Sequence, residues 1–526
     1  VDPTGVIELF LLLLVVAVAL AFVARRIGVA YPIVLVLGGL VLGLILTALP
    51  APPSLELPPE LVFLLFLPPI LFAAGYFTPI RDFKANLRPI GLLAVGLVLF
   101  STAVVAVVTH LLLPEVGWAA AFALGAIVAP PDAVAATAVF RRLGVAPRIV
   151  TILEGESLIN DATALIAYRF AVAAAVYGTF SALDAGLSFV VVAVGGVAIG
   201  LAVGFVVTSA WARISDPTLE IMTSLLAPFA AYLPAEALGV SGVLAVVVAG
   251  IIAGRRAARV LSPDARLTGT GVWGILIFII NGFAFLLIGV QLPGIVAGLA
   301  SFDRVTLLGL GVIVSLTTIV ARIVWVFPAT YLPRWLSASI RARDPAPPAG
   351  AVFVIAWAGM RGVVSLAAAL ALPISVPDRN LLIYLTLCVI LATLVGQGLT
   401  LPWVVHRLGV VTGTSLEVEE RIAREAATEA ARDRLERLAA EYPDHLPLVE
   451  SLRGQLEHDA EHASGNGADG LDAEDQERLE HQEIRLALVA AQREAVIRLR
   501  DDGVIGDDAL RRVERDLDLE AVRAGS

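Results

Sequence analysis

Gly155-Glu156-Ser157-Leu158-Ile159-Asn160-Asp161 sits inside an otherwise apolar run from about 149 to 171. As helix, at about 1.5 Å per residue, such a run crosses a hydrocarbon core roughly 30 Å thick. Glu156, Asn160 and Asp161 in its middle are expensive, and an ionisable side chain at that depth points to function, most often an ion or proton path. The rest of the chain supports reading the stretch as a membrane helix. Of 526 residues, 58% are hydrophobic and 16% charged, with a mean hydropathy of +0.87. The apolar runs are continuous rather than alternating, which excludes a β-barrel. The fold class is therefore an all-α polytopic membrane protein.

About thirteen spans are expected, near 6–24, 32–49, 60–77, 89–112, 117–140, 149–171, 185–211, 218–235, 239–254, 272–292, 305–329, 350–371 and 381–404. The first lacks a basic stretch ahead of it and reads as a true span rather than a cleaved signal. With the N-terminus outside, the inner loops carry sixteen Arg and Lys residues, and the outer loops only Arg304 and Arg379. That asymmetry orients the chain with its C-terminal tail in the cytoplasm, and a multi-pass place in the cell inner (plasma) membrane is expected.

The net charge of −10 conceals two regions. Residues 1–410 hold 22 basic and 18 acidic side chains, and residues 411–526 hold 15 and 29. The expected domains are thus a membrane domain, 1–410, and an acidic helical tail, 411–526. The tail has a flexible linker near 464–473 and amphipathic helices near 474–500 and 507–523. Its charge argues against nucleic acid and anionic lipid as partners of the tail. Stripes such as Leu510, Val513 and Leu517 suit packing on itself or on a regulatory partner. The acidic cluster near 469–477 fits no calcium-loop spacing. Cys388, the single cysteine, reads as a small buried hydrophobe. No phosphate-binding glycine loop, Cys/His metal cluster or nucleophile with a partnered base is present, so no enzyme and no cofactor is expected.

Two spans are interrupted. The fifth contains Ala129-Pro130-Pro131-Asp132 and the twelfth Ala358-Gly359-Met360-Arg361-Gly362. Proline removes a backbone donor, and glycine weakens a helix. If spans 1–6 and 8–13 are halves of opposite topology, these are the fifth member of each. Matching interrupted helices mark the binding site of a transporter. By rise per residue, Asp132, Asp161 and Arg361 all fall near the bilayer middle. On one helix Ser157 and Asp161 form one polar strip, and Glu156 and Asn160 form another about 100° away. The first strip suits an alkali cation, with Asp161 as its carboxylate. The second suits a structural ion pair of Glu156 with Arg361, since either charge alone is costly. Asp132 either touches the ion or neutralises the helix end exposed at the proline break. Arg169 and Arg322 are expected to snorkel to the interface, Glu220 and Glu236 to be interfacial, and Asn281 to hydrogen-bond a neighbouring helix.

Up to about residue 408 the chain resembles the monovalent cation:proton antiporter-1 family, the sodium/proton exchangers. The motifs that carry the resemblance are Leu67-Pro68-Pro69-Ile70-Leu71-Phe72-Ala73-Ala74-Gly75-Tyr76, Pro131-Asp132, Gly155 to Asp161, Gly239-Val240-Ser241-Gly242-Val243-Leu244-Ala245, and Trp357 to Gly362. The resemblance implies two inverted six-helix repeats, interrupted crossing helices and a homodimer. It makes Asp161 the cation- and proton-carrying carboxylate, with Asn160, Asp132 and Ser157 as site neighbours and Glu156–Arg361 as the ion pair. An Asn-Asp pair is the family pattern for electroneutral one-for-one exchange. Ala73 stands where many members have an acidic residue, Pro131 where many have threonine, and Ala133 where many have proline. The expected function is exchange of Na+ (or Li+) for H+ by alternating access, serving pH and sodium homeostasis. The alternatives are K+/H+ exchange in the same scaffold and an ion-binding membrane sensor that signals through its tail.

Overall fold

The computed structural model describes residues 3–48, 64–178, 182–299 and 302–410, and short stretches beyond, chiefly 429–437. The tail helices and linker expected after residue 438 fall outside the described residues. Residues 1–413 form one compact unit and residues 414–526 a second.

Every element among the described residues is a helix. Apart from the short turns Ile80–Ala85, Pro114–Val116 and Ala338–Arg343, they are in order α1 (Pro3–Ile27), α2 (Tyr31–Thr47), α3 (Leu67–Phe77), α4 (Leu87–Leu112), α5 (Gly117–Val128), α6 (Ala133–Leu143), α7 (Pro147–Tyr177) and α8 (Ala182–Trp211). After them come α9 (Pro217–Ala237), α10 (Gly242–Val260), α11 (Pro263–Ala297), α12 (Arg304–Leu336), α13 (Ala349–Trp357), α14 (Val363–Leu370) and α15 (Arg379–Leu408). Among the described residues eight segments are long and apolar enough to cross a membrane: Phe10–Ile27 of α1, α4, the α5–α6 pair, α7, Gly186–Trp211 of α8, α11, α12 and α15.

Local chemistry sets the helix starts. Asp216, Ser241, Ser262 and Asp303 each cap a helix N-terminus by accepting from a backbone N–H two or three residues on. Outward faces stay apolar: Phe22, Val191, Val194 and Phe205 are all more than half exposed, as expected where hydrocarbon replaces water. Inward faces use small residues so that backbones can touch. A Cβ on Gly39 or Gly43 of α2 would run into the α11 backbone at Leu286 and Val290, which explains how closely α2 and α11 pack along each other.

Two large buried cores and two small ones result among the described residues. One large core gathers α2, α5, α11, α14 and α15 around Leu35, Leu124, Phe285, Leu366 and Leu385. The other gathers α3, α8, α9 and α10 around Phe72, Trp211, Ala231 and Val246. Helix α7 contributes to both, through Leu153 and Leu158.

Candidate functional site

The fifth apolar run breaks after Val128, because Pro130 and Pro131 offer no backbone donor. Helix α6 then restarts with Asp132 as its cap, Oδ1 accepting from the Val134 N–H at 2.8 Å. The twelfth run breaks between Trp357 and Val363. The two breaks meet backbone to backbone, the Asp132 N–H donating to the Met360 carbonyl at 2.6 Å. Any side chain at Gly362 would overlap the Asp132 carboxylate. Asp132 therefore lies against the first turns of both α6 and α14, where aligned peptide dipoles leave positive partial charge.

Arg361 serves the opposite ends. Its Nε donates to the Val128 carbonyl at the end of α5 at 2.9 Å, and its guanidinium donates to the Gly359 carbonyl just beyond α13. Its own N–H donates to Thr393 Oγ1 of α15 at 3.1 Å. One carboxylate thus answers two helix N-termini and one guanidinium two C-termini, which satisfies groups a broken membrane helix would otherwise leave bare.

Helix α7 runs unbroken beside this crossing. Ser157 and Asp161 line a cavity of about 650 Å3, together with Asp132. Ser157 Oγ accepts from the Ala133 N–H at 3.4 Å. Asn160 is fully buried, and its Nδ2 donates to the Pro131 carbonyl at 3.1 Å, holding the proline break in place.

The expected Glu156–Arg361 pair is not the one formed. Glu156 is fully buried and takes a two-pronged salt bridge from Arg322 of α12, at 2.5 and 2.8 Å. Arg322 also donates to the Ile355 carbonyl of α13 at 3.1 Å, and Gly359 leaves room for its side chain. Arg361 is occupied by the carbonyl ends of the half-helices, so Arg322 neutralises Glu156. Arg322 therefore does not snorkel. Helix α12 is 33 residues long, longer than the apolar run suggested, and Arg322 lies well inside it. Glu220, in the first turn of α9, is buried and accepts from the Ser262 N–H and Oγ at the start of α11 at 3.0 and 2.8 Å.

The cavity extends from Asp161 past Glu154 on α7, Phe77 on α3 and Thr270 on α11, toward the arginine-rich end of the fold. Ala73 of α3 lines it without adding charge. On the other side of Asp161 a separate cavity of about 370 Å3 is lined by Leu165, Tyr168, Tyr232 and Glu236. Arg169 of α7 bridges to Glu236 of α9 there at 2.7 and 2.8 Å. Asn281 meets the Tyr31 hydroxyl of α2, and its side chain faces the larger cavity. Asn281 and Ser365 of α14 share that wall, and the motif reading had assigned neither to the site.

A site with two carboxyls and a hydroxyl, reached from one side, suits a small cation with hard oxygen ligands. The model of the family described as "Sodium/hydrogen exchanger, transmembrane" matches residues 11–407. The chain belongs to this family. The exchanger is 37% identical over 530 residues to an uncharacterised Na+/H+ exchanger of Mycobacterium tuberculosis, covering 98% of this chain and 96% of that one. It is 35% identical over 417 residues to a "Sodium, potassium, lithium and rubidium/H(+) antiporter" of Bacillus subtilis, covering 75% and 61% of the two chains. Its fold resembles the sodium proton antiporter MjNhaP1 of Methanocaldococcus jannaschii at pH 8, with a TM-score of 0.62 and 19% identity over 78% of this chain and 99% of that one. The exchanger is thus a transporter by family, not an enzyme.

Proposed function

We propose that the exchanger trades Na+ or Li+ for H+ at Asp161, one for one and without net charge transfer, as a homodimer in the plasma membrane. The observation that carries this reading is the placement of Asp161. It lines a cavity open toward one end of the fold, while every arginine near it is committed elsewhere: Arg322 to Glu156 and Arg361 to helix carbonyls. A carboxylate with no resident counter-ion must take a proton or a cation, and it cannot take both. Loaded either way the site is neutral and can cross the barrier; empty, it carries a charge the membrane opposes.

Asp132 lends negative potential and stays in place, since two helix ends depend on it; Ser157 adds a neutral oxygen and Asn160 holds the break. The positive-inside asymmetry supports a cytoplasmic arginine-rich end, so the larger cavity is the inward-facing entry and the Arg169–Glu236 bridge lies on the closed outer side. Exchange then requires α7 and the crossed breaks to shift against α9 and α10.

A second reading, exchange of K+ as well, draws on the broad cation range in the name of the Bacillus relative and on Ala73, which offers no acidic ligand. Inside-out vesicles acidified within, carrying a pH-sensitive dye in an antiporter-free background, distinguish the two. Alkalinisation by Na+ or Li+ but not K+ is the expected result, and it should vanish in Asp161→Asn while the protein stays folded. Exchange that survives in Asp161→Asn would sink the assignment. A response to K+ would widen the substrate range.

A further inference from the structure

Two buried polar side chains in the cation cavity have no hydrogen-bond partner. Ser365, in the first turn of α14, is 1% exposed, and its Oγ meets no acceptor or donor. Asn281 of α11 is also 1% exposed, and neither its amide oxygen nor its nitrogen is bonded. The Tyr31 hydroxyl of α2 lies close to the Asn281 side chain and leaves most of its hydrogen-bonding capacity unused. Other buried side chains among the described residues, Ser101 and Thr109 of α4 included, also lack a partner, but Ser365 and Asn281 alone of that group line this cavity, where an unmet polar group calls for a reason.

Local geometry does not supply one. Ser315, Thr318, Thr386 and Thr393 all donate to the carbonyl four residues back in their own helices. Ser365 cannot, because the residue four back is Arg361, in the break before α14. The interruption that brings Asp132 to the crossing also strips Ser365 of its normal acceptor. Both orphaned groups line the same cavity as Asp132, Ser157 and Asp161.

An alkali cation that leaves water for this cavity must regain several hard oxygens. Asp161 and Ser157 approach from α7, and Asp132 from the α6 end of the crossing. Ser365 comes from the mirrored half-helix and Asn281 from α11, a helix that packs along α2. Building on the reading of Asp161 above, we propose that Ser365 Oγ and the Asn281 amide oxygen complete the shell of the cation at Asp161 and set its size preference. Both ligands are neutral. They alter how tightly each cation is held and leave the one-for-one coupling unchanged. A proton on Asp161 needs neither, so the two side chains favour the metal ion over its competitor.

The test uses the full-length exchanger in proteoliposomes, with Na+, Li+ and K+ each titrated at two pH values. Ser365→Ala and Asn281→Leu should each raise the KM for Na+ roughly five- to tenfold, the loss expected for one polar contact. Turnover at saturation should stay near that of the native chain, the KM increase should be the same factor at both pH values, and the cations should change rank or spacing. The thermal midpoint should hold or rise, because an unsatisfied group has been removed. If Ser365→Ala does not fold, Ser365→Cys carries the test, since it keeps the shape and replaces a hard oxygen by sulfur; Asn281→Ala stands in likewise for Asn281→Leu. KM values for all three cations within about twofold of native in both positions would overturn the proposal. So would a lowered midpoint with KM unchanged, the mark of a packing role. Asp161→Asn, run alongside, separates the two levels: exchange surviving there defeats the reading of Asp161 itself, whereas silence there with native KM values in the other variants defeats only this inference.

Discussion

The buried Glu156–Arg322 pair shows how much one residue can matter in this fold. Both side chains are fully out of solvent, and the two-pronged geometry satisfies both carboxylate oxygens. Removing one partner strands the other charge. Arg322→Ala should therefore destabilise the exchanger by about 3–5 kcal/mol. Replacing both partners by apolar residues of similar volume, Glu156→Leu with Arg322→Met, should recover most of that loss, because the desolvation cost of the pair disappears with it. Thermal unfolding in detergent measures both variants. If the double variant is as unstable as the single one, the pair does more than neutralise itself.

At the scale of elements, charged contacts tie helices together at the two ends of the bundle. Asp344, in the loop before α13, accepts from Arg88 of α4 at 2.6 Å and from Arg148 of α7 and Arg334 of α12, both at 2.7 Å. Burial pushes its carboxyl up, but hydrogen bonds and charge from Arg148 and Arg334 outweigh burial and hold it below its ordinary value of 3.8. A carboxyl depressed by folding adds stability above its unfolded value and loses that stability as pH falls through the folded one. The melting temperature of Asp344→Asn should thus trail the native protein by a constant margin from pH 8 to about pH 5, and the gap should close below about pH 4. A gap that persists at the acid end would assign the contact to packing. The Arg169–Glu236 bridge joins α7 to α9, the helices that part in the exchange proposed above. Its side chains are 48% and 31% exposed, so the bridge contributes only about 0–1 kcal/mol. Arg169→Ala should shift the balance of inward- and outward-facing states by no more than about fivefold toward outward. Labelling of a single cysteine introduced at Leu165, in the cavity beside the bridge, reads that shift, and unchanged labelling would mean the bridge does not hold the closed side.

For the whole molecule, the match to the exchanger family ends at residue 407, and residues 1–413 form a compact unit by themselves. Deleting residues 414–526 should leave a folded protein that still exchanges cations for protons, with its pH dependence moved if the tail is regulatory. The vesicle assay checks this directly. Loss of exchange in a truncated protein that remains monodisperse would make the tail part of the transport machinery and revive the sensor reading.

The sequence by itself determined the class of the protein and the elements of its site. Apolar runs of bilayer length report on the solvent, because lipid forces every backbone group into helix. Proline and glycine beside charge mark the breaks, and the i, i+4 spacing within 155–161 separates Ser157 and Asp161, which line the cavity, from Glu156 and Asn160, which do not. Only the tertiary structure decided which charges meet. Depth along a helix brings Arg361 level with Asp161, close to Glu156, but says nothing of competitors, and four half-helix ends at the crossing claim Asp132 and Arg361 first. Arg322 was misjudged because apolar composition stops at the membrane edge while α12 continues beyond it to Leu336. Eighteen residues beyond Arg304, or about 27 Å, Arg322 is a central residue of its helix and not a terminal one. Ser365 left no mark in the sequence, and Asn281 only that of a polar residue in an apolar span, for a similar reason: a polar side chain faces a cavity only relative to neighbours, and those come from helices far apart in the chain.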